Sequence, residues 1–207
     1  MGVCRYGRTR NAMLASLALG AIAAAPSSAR SADISYAEDL QAILVDGVIA
    51  PGDLERIEAA SQSATGPVEG LYLHSFGGDF LTAMDLGLWV RERHLATYAS
   101  ELMCESACGF LWLAGEHRFA NGVVSVHMPF TRTSLYSIVI PDEGIANTAW
   151  YLATLGCDRQ LLNALLVVSL TESNDVFPIT GPNTAMYRIA YEHFPGEAKF
   201  KAALADH

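Results

Sequence analysis

Three short stretches of the sequence hold residue types that can do chemistry together. "SFGGD" sets Gly77 and Gly78 at the end of the apolar, aromatic-rich run "GLYLHS". "CESACGF" sets Ser106 between Cys104 and Cys108, and "HMPF" sets His127 at the end of "VVSV". A serine hydroxyl becomes a nucleophile when a neighbouring imidazole takes its proton. Glycines at a strand end let the backbone adopt unusual angles and turn N–H groups outward, where they bind negative charge. A helix starting behind the serine adds its dipole to the same end. Each feature alone has a plainer reading: Ser106 as a helix N-cap, His127 as a structural strand-end histidine, the glycines as an ordinary turn. Their order tips the balance. All three fall at the ends of strands, where ligand sites open in α/β folds.

The elements that must position them are legible in outline. "LQAILVDGVIA" reads as a β-rich stretch broken at Gly47, and "PGDLERIEAASQS" as an amphipathic helix with Asp53 as its N-cap. A strand over "GPVEGLYLHS" leads into the helix "FLTAMDLGLWVRERH", with Leu81, Met84 and Leu88 on one face and its basic residues in the last turn. "LATYASELM" is the next strand, and residues 106–114 form the next helix. The short strand "VVSV" ends at His127, and two helices follow, "DEGIANTAWYLATLG" and one opening at Asp158 as N-cap. Alternating strands and helices argue for one layered α/β domain.

The residues now carry a resemblance. "ILVDGVIAPGD", "GLYLHSFGGDFLTAMDLG" and "CESACGFLWLAGEHRFANGVVSVHMPF" together resemble the Clp-protease/crotonase superfamily, and more closely its Clp-like serine peptidase branch. The likeness runs over roughly residues 41–180 and is strongest over 71–129. It implies a single-domain α/β fold, a ClpP/crotonase-like spiral of repeated β-β-α units. It also implies a Ser-His-Asp triad. Ser106 would be the nucleophile, His127 the base and later the acid, and Asp175 the residue that holds the imidazole, since "DVF" matches the family's D-x-F. Gly78 and Ala107 would supply the oxyanion-hole N–H groups. Gly77, Phe76, Met128 and Phe130 would bind substrate; Phe76, Phe80, Met128 and Phe130 flank the turn and the histidine and favour an apolar side chain beside the scissile bond, with plain core residues as the alternative reading. A peptide or protein substrate and a homo-oligomer are implied, with no cofactor. The branch that uses a Ser–Lys dyad keeps its lysine inside the fold, whereas the only lysines here are Lys199 and Lys201.

Composition bounds the rest. The chain has 207 residues and 51% hydrophobic content, enough for one well-filled core. Residues 1–29 run from basic ("RYGRTR") through apolar ("AMLASLALGAIAAA") to small ("PSSA"), the order of a cleaved secretory signal peptide, with cleavage expected after Ala25 or Ala29. That leaves residues 30–207 as the domain and places the protein in the periplasm or outside the cell, where no ATPase partner is expected. A membrane anchor is the alternative, but the apolar run is too short to span. All 22 acids lie beyond residue 30 and the whole chain carries a net −9, so nucleic acid is excluded as a partner. No second cysteine pair and no HExxH motif is present, so no metal site is expected. Without Cys4, three cysteines remain: a Cys104–Cys108 bridge across the turn at Ser106 is the expectation, with Cys157 spare, and two buried free thiols are the alternative. Two other functions also remain open: a crotonase-like acyl-thioester enzyme, or a non-catalytic interaction protein.

Overall fold

The structure, a computed structural model, describes residues 31–134, 137–171, 176–181, 184–194, 196 and 198. Its centre is a five-stranded sheet of β1 (Asp33–Ala37), β2 (Ala42–Asp46), β3 (Gly70–Ser75), β4 (Ala96–Cys104) and β5 (Arg118–Ala120), in that order. β1 runs antiparallel to β2, and β2 to β5 are mutually parallel. Parallel neighbours need a crossover, and three helices provide it: α1 (Asp53–Ser63), α2 (Phe80–Glu92) and α3 (Ala107–Leu113).

The central strands are buried on both faces, which is why they read as continuous apolar runs rather than alternating ones. In β2 and β3, Ile43, Val45, Leu71 and Leu73 enter the main core with α1, α2 and α3. Ala42, Leu44 and Tyr72 enter a smaller cluster on the opposite face. There Tyr72, Tyr98 and Phe119 stack at consecutive register positions, with centroids 4.3 and 4.8 Å apart, and Phe194 lies edge-on over them.

Where the main strands end the chain makes further bridges: Ile49, between β2 and α1, with Gly78, between β3 and α2, and Cys104, the last residue of β4, with Val124, which follows β5. From β2 to α3 the chain repeats a unit of strand, bridge residue and helix. Beyond them come β6 (Ser125–Val126), the hairpin β7 (Thr131–Ser134) and β8 (Ser137–Val139), α4 (Asp142–Thr154), α5 (Arg159–Thr171), β9 (Phe177–Pro178), which pairs with β6, and α6 (Thr184–Tyr187).

Two details depart from the local reading. The N-cap of α1 is Gly52, with φ 95°, and Asp53 is a fully buried first-turn residue. Its carboxylate accepts from Ala50 N at 2.8 Å, from Ser31 Oγ and from Arg56, so it ties the chain entering β1 to the helix. On α2, Met84 is buried but Leu81 is 53% exposed, because the buried arc runs through Ala83, Leu86 and Val90 instead. Asp158, by contrast, does take the Gln160 N–H at 2.9 Å at the start of α5. Among the described residues, no helix is long and apolar enough to cross a membrane.

Candidate active site

Ser106 sits between the end of β4 and the first residue of α3, at φ 58° and ψ −123°. A positive φ strains any residue with a Cβ, and such strain persists only where the surroundings over-determine it. Here they do. Glu105 N donates to Ser75 O at 3.1 Å, which ties the turn to the end of β3. Cys104 and Cys108 form a disulfide across it, with their Cα atoms 5.3 Å apart. All seven residues of α3 are buried, so the helix behind the turn cannot rotate freely. Ser106 makes no side-chain capping bond to α3, so the plain N-cap reading does not describe it. Cys157, expected as the spare thiol, is not a free cysteine.

The glycine pair wraps the same turn. Gly77 has φ 98°, and a Cβ built on it would lie 2.8 Å from Ala107 N, Glu105 O and Ser106 Cβ. Gly78 has φ 141°, and its Cβ would lie 2.1 Å from Ile49 O. Both must therefore be glycine, for want of space as well as for angle. The two are not equivalent as donors. Gly77 N–H is taken by Ser75 Oγ at 2.9 Å. Among the described residues no acceptor is bonded to the N–H of Gly78 or of Ala107, the first residue of its helix.

His127 follows β6, which α3 approaches so closely that a Cβ on Gly109 would lie 2.5 Å from Ser125 O. That contact brings the strand ending in His127 against the helix starting at Ser106. The His127 ring Nδ1 lies 2.8 Å from Met128 O. A carbonyl oxygen can only accept, so Nδ1 carries the hydrogen and the neutral ring presents its lone pair at Nε2. The imidazole also rests against Phe130, with ring centroids 5.1 Å apart.

These residues share one cavity of about 380 Å³, lined by Gly78, Asp79, Phe80, Ser106, Ala107, Phe110, His127, Pro129 and Phe130. Phe80 and Phe110 meet edge to face, with centroids 5.0 Å apart, and give it an apolar wall. The structure thus brings together Ser106, His127, Gly78, Ala107, Phe80 and Phe130 from the sequence reading. Three others do not line the cavity. Phe76 is 66% exposed, Met128 is 1% exposed with its side chain in the core, and Gly77 supports the turn from behind. Met128 contributes its backbone carbonyl instead. Asp175 lies outside the described residues.

The sequence reading passed over Asp79, Phe110 and Pro129. Asp79 was findable: it directly follows the glycine pair, with Thr82 three residues on, the pattern of a capped helix start. Its Oδ1 accepts from Thr82 N at 2.8 Å and from Thr82 Oγ1 at 2.7 Å.

No family model matches the sequence, and no curated protein matches it. The solved structures do. The chain is similar to a mutant of ClpP1 from Listeria monocytogenes, with a TM-score of 0.54 at 16% identity over 75% of this chain and 92% of that one. It is also similar to a mutant of a membrane-bound stomatin-specific protease, with a TM-score of 0.51 at 13% identity over 76% of this chain and 81% of that one. With its parallel sheet, its short bridges and these neighbours, the chain has the Clp-protease-like fold.

Proposed function

We propose that this protein is an exported serine-type hydrolase that cleaves peptide bonds, with Ser106 as nucleophile and His127 as general base. One observation carries the reading: a single cavity is lined by a strained serine, a histidine and two backbone N–H groups without acceptors among the described residues. Ser106 Oγ attacks the scissile carbonyl carbon while its proton passes to His127 Nε2. The oxygen that becomes negative is received by the Gly78 and Ala107 N–H groups, one such donor being worth about 3–4 kcal/mol in the transition state. The tetrahedral adduct collapses, the amine leaves with the proton from His127, and water then releases the acyl group by the same steps in reverse. Asp175 is the residue proposed to steady the imidazolium. The apolar wall of Phe80, Phe110 and Phe130 suits an apolar side chain on the acyl residue.

Export rests on the basic-apolar-small order of residues 1–29, and the periplasm or the cell exterior is the proposed location. A homo-oligomer acting on peptide or protein substrates, without an ATPase, completes the proposal. The decisive experiment uses a fluorophosphonate, which reacts only with an activated serine. Labelling should be present in the folded protein, absent in Ser106→Ala, and slower by several powers of ten in His127→Ala. A folded protein that does not label would favour the non-catalytic alternative.

A further inference from the structure

We infer that Asp79 gives this site a charge preference: the cavity selects peptides bearing a cationic side chain on the residue next to the apolar one at the scissile bond. The inference rests on the hydrolase reading above and adds a specificity-determining residue to it. Among the residues lining the cavity, Asp79 alone carries a carboxylate and none is Lys or Arg. The side chain is held rather than loose, because its Oδ1 accepts both Thr82 N and Thr82 Oγ1 as the cap of α2. No hydrogen bond or ion pair among the described residues uses Oδ2. The carboxylates of Asp53, Glu58 and Asp158 each have an arginine within 4.0 Å, and among the described residues Asp79 has no such ion pair.

The position matters more than the charge alone. Asp79 directly follows Gly78, whose N–H would receive the developing oxyanion. A carboxylate there opposes the build-up of a second negative charge, and apolar walls weaken solvent screening between them. A cation on the substrate, paired with Oδ2, removes that opposition at the moment it costs most. The carboxylate therefore slows cleavage of neutral and acidic peptides and speeds that of cationic ones. This differs from general steering by the chain's net −9, which would survive removal of one acid.

Asparagine caps a helix as well as aspartate does, so Asp79→Asn removes the charge and keeps the cap, with Asp79→Ser as a second capping variant. The probes are three peptidyl diphenyl phosphonates with the same apolar residue at the reactive centre and Lys, Gln or Glu beside it. The readout is the second-order rate of Ser106 modification. The intact protein should react in the order Lys, Gln, Glu, spanning about tenfold or more at low salt and less at high salt. In Asp79→Asn the span should shrink to about threefold or less, with the Lys probe slower and the Glu probe faster than in the intact protein. That crossing is not produced by a purely structural cap. Equal rates for the three probes in the intact protein, or an unchanged span in Asp79→Asn, overturn the inference while leaving the hydrolase reading intact. Failure of all three probes, together with failure of a plain fluorophosphonate, overturns the hydrolase reading and this inference with it.

Discussion

Gly77→Ala should damage both stability and reactivity, and the structure supplies the sizes. The residue lies at φ 98°, a left-handed region where an L side chain costs about 1–2 kcal/mol. The added Cβ also meets Ala107 N, Glu105 O and Ser106 Cβ, each at 2.8 Å, where about 3.5 Å or more is comfortable. None of these is the free end of a flexible side chain. The turn is pinned by the Glu105–Ser75 bond and by the disulfide, and Gly77 is pinned by Ile49 N donating to its carbonyl at 2.9 Å. Overpacking of this kind adds about 1–3 kcal/mol, for a total near 2–5 kcal/mol. At about 2–4 °C per kcal/mol for a chain of this size, the melting temperature should fall by roughly 4–20 °C. If the clash is relieved by moving Ser106 about 1 Å, fluorophosphonate labelling of the surviving folded protein should slow about a hundredfold. Gly52→Ala is the control, since Gly52 has φ 95° with nothing within 4 Å of its would-be Cβ. It should lose only the conformational part and label at the normal rate. Thermal unfolding by circular dichroism and a labelling time course decide the matter. Gly77→Ala matching Gly52→Ala in both readouts would refute the argument that the glycine supports the nucleophile turn.

Two further outcomes follow from other parts of the structure. The Cys104→Ser, Cys108→Ser double variant should lose about 2 kcal/mol, since so short a loop gains little chain entropy from the bridge; its larger effect should be slower labelling of Ser106, and normal labelling would count against the bridge as a brace. Tyr151 is fully buried with its hydroxyl donating to Phe110 O at 3.0 Å, and burial pushes its pKa up, against a smaller opposing pull from Arg91. Because the folded pKa is raised, stability is intact below about pH 10 and falls above it, by up to about 1.4 kcal/mol per pH unit for this group. Tyr151→Phe should flatten denaturant midpoints measured above pH 10, and curves parallel to those of the intact protein would contradict this.

What the sequence by itself determined is the set of local patterns. The continuous apolar runs of β2 and β3 mark strands covered on both faces, and the glycine pair followed by Asp79 marks a sharp turn into a helix. The order of the glycines, Ser106 and His127 along the chain, with the family resemblance it carries, named Gly78, Ser106, Ala107 and His127, which line one cavity. The particulars that needed the tertiary structure all concern direction. His127 lines the cavity while its neighbour Met128 turns into the core, a difference set by how the chain after β6 packs against α3. Gly77 and Gly78 look alike in sequence, yet the Ser75 hydroxyl takes the N–H of one and leaves that of the other. Asp53 looks like a helix cap, but Arg56 and the incoming segment at Ser31 draw it into the interior. Leu81 fits a helical stripe whose buried arc is set instead by the sheet and by α3. Sequence periodicity states that a face is buried, and only packing states against what, because the partner surface comes from residues far away in the chain.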